Sequence, residues 1–162
     1  MVQAVLLDSG FLIRLMNPEE PLHTAAMTWF RQFVEQGIRC KVSTIALAEY
    51  GVKDDLAHLP MQYLQVIPFH YNHAVRAAGF MRTILRVKQE RGAVIQPRNV
   101  VPNDTKMFAQ ASAEEDIQSF ISADSEARKV YDLLENPDFS FIDIRRDKPE
   151  STGTPLASEP PV

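Results

Sequence analysis

The sequence predicts an α/β sandwich, α/β/α in layers, with a mostly parallel central sheet of about five strands. Three observations carry that expectation. Short apolar runs alternate with stretches of helical periodicity along the chain, which is the pattern of βαβ units. The first run, Val2 and Ala4-Val5-Leu6-Leu7, is near-continuous rather than alternating, as expected of a strand buried on both faces. The chain has 162 residues, of which 45% are hydrophobic and 23% charged, enough for one domain with a real core.

The elements follow in order. Asp8-Ser9-Gly10 ends the first strand as a polar turn. Over residues 22–34, Ala26, Trp29, Phe30, Phe33 and Val34 are spaced as one apolar helix face, and Gly37 supplies a stop. Those aromatic side chains are assigned to the core rather than to base stacking, because they share a face with Ala26. Residues 40–43 form a short strand, and Ser43 or Thr44 caps a helix through about Val52 that carries Glu49. Residues 64–68 form a third strand closed by Pro68. From about Asn72 to Arg91 a helix places Ala74, Ala77, Ala78, Met81, Ile84 and Leu85 inward, and Gly92 ends it. Pro97 and Pro102 bracket a loop. Asn103 or Asp104 caps the next helix, which the acidic turn Glu114-Glu115-Asp116 closes. Residues 117–122 are a fourth strand. Asp124 then caps a helix with Ala127, Val130, Tyr131 and Leu134 inward, halted by Asn136-Pro137, and residues 139–142 are a fifth strand. The domain is expected over residues 1–144. Residues 145–162 hold Pro149, Pro155, Pro160 and Pro161 among small polar residues, so a disordered tail is expected there.

Composition excludes several classes. The lone Cys40 forms no internal disulfide, and its place at the start of an apolar run marks it as a buried spectator. No run approaches the roughly 18 apolar residues of a membrane span, and the N-terminus has no basic-then-apolar leader, so a cytosolic protein is expected. A net charge of −4 argues at first against nucleic acid as a partner. Its distribution argues otherwise. Residues 71–98 hold six basic residues (Arg76, Arg82, Arg86, Lys88, Arg91, Arg98) and one acid, Glu90, a local balance of +5 that leaves −9 for the rest.

Ligands of open parallel sheets gather at the carboxyl ends of the strands, and acids fall there. Asp8 ends the first strand, Glu49 lies on the helix after the second, Asp104 opens a helix and Asp124 follows the fourth strand. Singly, each has a structural use: Asp104 and Asp124 are good N-caps, Asp8 begins a turn and Glu49 suits a solvated helix. Together in one pocket they repel one another unless a cation sits among them. Oxygen ligands without His or Cys suit Mg²⁺ or Mn²⁺.

Residues 2–142 resemble a PIN domain, the metal-dependent nuclease fold that includes the VapC-type toxins. The likeness rests on Leu6-Leu7-Asp8-Ser9, on the segment Ser43-Thr44-Ile45-Ala46-Leu47-Ala48-Glu49, on Asn103 through Ala111 and on Ile121-Ser122-Ala123-Asp124. It implies that Asp8, Glu49, Asp104 and Asp124 are the catalytic, metal-binding set for Mg²⁺ or Mn²⁺, with Ser9 as a supporting hydroxyl. Gly10 departs from the small polar residue frequent in the family at that position. Asp116 competes for the fourth acid but precedes its strand, which favours Asp124. The implied activity is metal-dependent hydrolysis of RNA, with Arg82 and Arg86, one turn apart on the outer face of their helix, as phosphate contacts. Those arginines serve equally as a solvated helix face. The resemblance also implies a small antitoxin as partner and a homodimer. A stand-alone PIN nuclease and a catalytically silent PIN scaffold remain as alternatives. Phosphatase and phosphoacceptor folds fall behind, the first because Gly10 stands where it needs a second Asp.

Overall fold

A computed structural model describes residues 1–93 and 101–150. Pro97, Arg98 and residues 151–162 therefore lie outside the described residues. Five parallel strands form one sheet in the order β3-β2-β1-β4-β5: β1 Ala4–Leu7, β2 Arg39–Ser43, β3 Leu64–Ile67, β4 Ile117–Ser122 and β5 Ser140–Asp143. Leu6 stands between Lys41 on one side and Phe120 on the other, and Ser122 pairs with Asp143. All four residues of β1 are buried, which explains why that run reads as continuously apolar.

Six helices flank the sheet: α1 Ser9–Met16, α2 His23–Glu35, α3 Thr44–Gly51, α4 Tyr71–Glu90, α5 Asn103–Ala113 and α6 Ser125–Tyr131. Sequence reasoning misses α1. The Asp-Ser-Gly signal is a helix start rather than a turn: Asp8 accepts from Ser9 N at 2.8 Å as the N-cap, and Phe11, Leu12 and Leu15 follow as a buried stripe. Neither Asn103 nor Asp104 caps α5, because the helix already begins at Asn103 and Pro102 takes the cap position. The last helix is shorter than its apolar spacing implies. It stops at Tyr131, and Leu134 stays buried from a turn instead. On α4 the inward line is His73, Ala77 and Ile84, and Ala74 is exposed. Val34 on α2 is exposed as well.

Gly37 adopts φ +67° between α2 and β2, a left-handed turn that needs a glycine. Cys40 is buried, and burial pushes its thiol up to about 12, which keeps it unreactive. Residues 145–150, which composition assigns to the tail, instead lie along the outer side of α2, where with Thr24, Thr28 and Trp29 they line a cavity of about 650 Å³. Among the described residues no helix is long and apolar enough to cross a membrane.

Candidate active site

The sheet runs from β1 outward through β2 to β3, then returns to the other side of β1 for β4 and β5. The point of reversal lies between β1 and β4, where open α/β sheets leave a crevice at their carboxyl edge. Asp8 leaves β1 at that edge. Its backbone N–H still donates to Ile121 of β4 at 3.1 Å, so the carboxylate is fixed to the sheet. One oxygen accepts from Ser9 N and the other from the Ser122 hydroxyl at 2.6 Å, and the residue is 4% exposed.

Glu49 arrives from the neighbouring strand. Ser43 ends β2 and caps α3 through Ile45 N at 3.0 Å, which sets the helix going so that Glu49 comes round toward Ser9. The Ser9 hydroxyl donates to Glu49 Oε2 at 2.7 Å and lies 3.5 Å from Asp8 Oδ1, bridging the two acids. On the far side Asn103 Nδ2 donates to Glu49 Oε1 at 2.7 Å. Asp104 is half-buried in the first turn of α5. Asp124 leaves β4, receives Glu126 N at 2.8 Å as the cap of α6, and its own N–H donates to Ser122 Oγ at 3.0 Å. Ser122 is thus joined to both Asp8 and Asp124.

The charges of this group act on Asp8 and Asp104. Burial, together with repulsion from Glu49 and Asp124, pushes Asp8 up to about 6 against the pull of its Ser122 and Ser9 hydrogen bonds. Asp104 rises to about 6 through burial and the charges of Asp8, Asp124 and Glu49. This is an all-oxygen donor set with excess negative charge, the chemistry that suits a hard divalent cation. Among the described residues, however, no three His, Cys, Asp or Glu side chains already stand around one common ion position. Ser9, Ser122, Asn103 and Glu126 N occupy oxygens of Asp8, Glu49 and Asp124.

A pH dependence follows. A carboxyl whose folded value is raised favours the native state while protonated and loses that advantage as the unfolded chain ionises first. Stability of the chain in chelator is therefore expected to be fully present below about 4 and to fall as pH rises through about 6. Urea unfolding at pH 4.5 and pH 7.5 should differ by about 2 kcal/mol from Asp8 alone. Equal or greater stability at the higher pH would contradict the crowding of these acids.

Sequence reasoning overlooks two partners of this site, Asn103 and Ser122, and the strand neighbour Asp143. Asn103 reads as a cap candidate, yet it holds Glu49. Ser122 reads only as the last residue of a strand, and Asp143 as the edge of the domain. Asp116, the competing acid, lies elsewhere and pairs with Lys41 Nζ at 2.7 Å and with Arg39. The two arginines proposed for phosphate differ. Arg86 is engaged with Glu90 at 3.0 Å and Glu135 at 2.5 Å, whereas Arg82 is exposed and forms no ion pair among the described residues. The first turns of α4 meet the end of α5 through Arg76 with Ser112 and His73 with Glu114. The two helices pack closely, and α4 also reaches Asp138 and Glu135, beyond the end of α6, through Arg76 and Arg86.

No family model and no curated protein matches the sequence. Solved structures do match the fold. VapBC2 from Rickettsia felis, bound to a DNA fragment from their promoter, is 15% identical at a TM-score of 0.59, covering 87% of this chain and 98% of that one. DNA-bound VapBC from Salmonella typhimurium is 16% identical at 0.56, covering 89% and 99%. Mycobacterium tuberculosis VapC20, a sarcin–ricin loop cleaving toxin, is 14% identical at 0.50, covering 77% and 93%. The chain has the PIN-domain fold of these VapC structures.

Proposed function

We propose that this chain is a metal-dependent endoribonuclease that hydrolyses RNA phosphodiester bonds, and that it serves as the toxin of a toxin–antitoxin pair. The observation that supports the reading best is the gathering of Asp8, Glu49, Asp104 and Asp124 at the switch point of a VapC-like fold, two of them pushed up to about 6. These four would hold Mg²⁺ or Mn²⁺. Such an ion, when bound, makes water a nucleophile near neutral pH and offsets charge on the phosphoryl oxygens. Glu49, steered by Ser9 and Asn103, orients the attacking water through its carboxylate. Arg82, exposed in the middle of α4, contacts flanking phosphates, while the place of Arg86 in that role is weakened by its two glutamates. The antitoxin partner is supported by the VapBC neighbours, and a homodimer belongs to the same proposal.

Metal removal tests the reading. Cleavage of a structured RNA should require added Mg²⁺ or Mn²⁺, stop in chelator and return on replenishment. The same ions should raise the melting temperature, because they bind the folded chain alone. Cleavage that persists in chelator overturns the mechanism. A metal-induced rise in melting temperature with no cleavage of any RNA favours the scaffold alternative.

A further inference from the structure

A fifth carboxylate lies beside the four. Asp143 ends β5 opposite Ser122, the residue that donates to Asp8 and receives Asp124 N. It is 2% exposed. Unlike the others it is matched by a cation: Arg145 donates through Nε to Oδ1 at 2.8 Å and through Nη2 to Oδ2 at 2.6 Å, and its own N–H also reaches Oδ1 at 3.0 Å. The turn is closed by Asp147, whose carboxylate accepts from Asp143 N at 2.7 Å. Two hydrogen bonds hold the guanidinium, and two more from backbone N–H groups hold the turn that carries it.

The fork uses two of the five guanidinium hydrogens. Both hydrogens on Nη1 and one on Nη2 have no acceptor among the described residues. Ile144 N–H donates to Ser122 O at 3.1 Å, so the turn that carries Arg145 is tied to the strand end from which Asp124 leaves. Asp143 is buried but the Arg145 side chain is 30% exposed, and an ion pair with one partner in water contributes only modestly to stability. Its geometry, rather than its energy, is what needs an explanation. A planar guanidinium held on one edge by a carboxylate presents its other edge to a second acceptor with little further loss of entropy, and a phosphate oxygen matches that edge.

We propose that Arg145 is a substrate-contacting residue that binds an RNA phosphate next to the Asp124 side of the active site, with Asp143 as its positioning residue. The inference rests on the nuclease reading for the identity of the anion. Removing Arg145 alone would leave Asp143 buried and unmatched, so the informative change is Arg145→Gln together with Asp143→Asn.

Binding of a mixed-sequence 20-nucleotide single-stranded RNA is measured in Mg²⁺ across a salt series, in a chain carrying Asp8→Asn to prevent cleavage. The paired change is expected to weaken binding about 5- to 10-fold and to lower the slope of log affinity against log salt by about 0.7, one phosphate contact. Arg145→Lys should keep the slope and lose part of the affinity, because the charge stays and the fork is lost. Melting curves identify a variant that fails to fold, and Arg145→Lys, which keeps an ion pair to Asp143, then decides: affinity equal to that of the parent overturns the proposal. An unchanged slope and affinity in the folded paired variant overturns it too, as does a parent that binds no RNA. Cleavage by the chain without Asp8→Asn is read separately. Normal binding and slope change without cleavage removes the nuclease reading and leaves the contact, whereas cleavage with no slope change removes the contact alone.

Discussion

Replacing Asp8 by Asn is expected to cut metal-dependent RNA cleavage by at least about a thousandfold while making the metal-free chain harder to unfold at pH 7. The two effects share one cause. Asp8 is the most buried of the four acids, and burial with repulsion from its neighbours holds it up near 6, so at pH 7 the folded chain carries an ionised carboxylate where water cannot solvate it well. Asn removes that charge and still offers an oxygen to Ser9 N as the cap of α1, the bond now made at 2.8 Å. The Ser122 hydroxyl loses its anionic acceptor, which offsets part of the gain. The net rise in stability should be about 1–2 kcal/mol, a few degrees in melting temperature for a chain of this size. It should shrink as pH falls and vanish below about pH 4, where the carboxyl is protonated in the folded and unfolded chain alike. Thermal melts in chelator at both pH values, run beside the RNA assay, check it. A variant that loses activity because it melts earlier at both pH values would show that Asp8 is chiefly structural.

The same residue shows how far the sequence could be read. Asp8 is visible as a candidate because it interrupts an apolar run, and Glu49, Asp104 and Asp124 because each falls on a helix, at a helix start or beside a strand end, although the structure leaves Asp124 exposed. The sheet was legible because strands buried on both faces leave continuous apolar runs. What was hidden needed long-range register. Asp8-Ser9-Gly10 carries turn residues, and only the burial of Phe11, Leu12 and Leu15 identifies it as a helix start. Asn103 meets Glu49 across 54 residues of chain. The place of Asp143 next to the site depends on β5 aligning with β4, and its tie to Arg145 looks in sequence like two charges at the start of a tail. Lys41 likewise sits inside a strand where a charge is unexpected, and its partners Glu114 and Asp116 come from 73 and 75 residues away. Local periodicity places helices and strands; it does not say which side chains their packing brings together.

Phe108→Ala should be the most damaging single change outside the acid site, lowering stability by about 3–5 kcal/mol. Phe108 is fully buried on α5 and touches four other rings: Phe120 at 4.9 Å between centroids, Phe139 at 5.8 Å, Tyr131 at 6.0 Å and Phe141 at 6.3 Å. These come from β4, α6, β5 and the turn before β5, so one side chain joins every element on that half of the sheet. Truncation leaves a cavity that four rings on separate elements cannot close together, and domains of this kind hold only about 5–15 kcal/mol in all. The melting temperature should fall by roughly 10–20 °C. Phe108→Leu fills most of the space and should cost less than half as much. The site should feel the change as well, because Asp104 lies one helical turn before Phe108 on the same face of α5. Loosening the ring cluster frees the segment that carries Asp104 and the Glu49 partner Asn103. Cleavage by Phe108→Leu, assayed well below its melting point, should therefore fall further than its folded fraction accounts for. Full activity in that variant would mean that α5 is held at the site by the Asn103–Glu49 hydrogen bond and not by its core anchor.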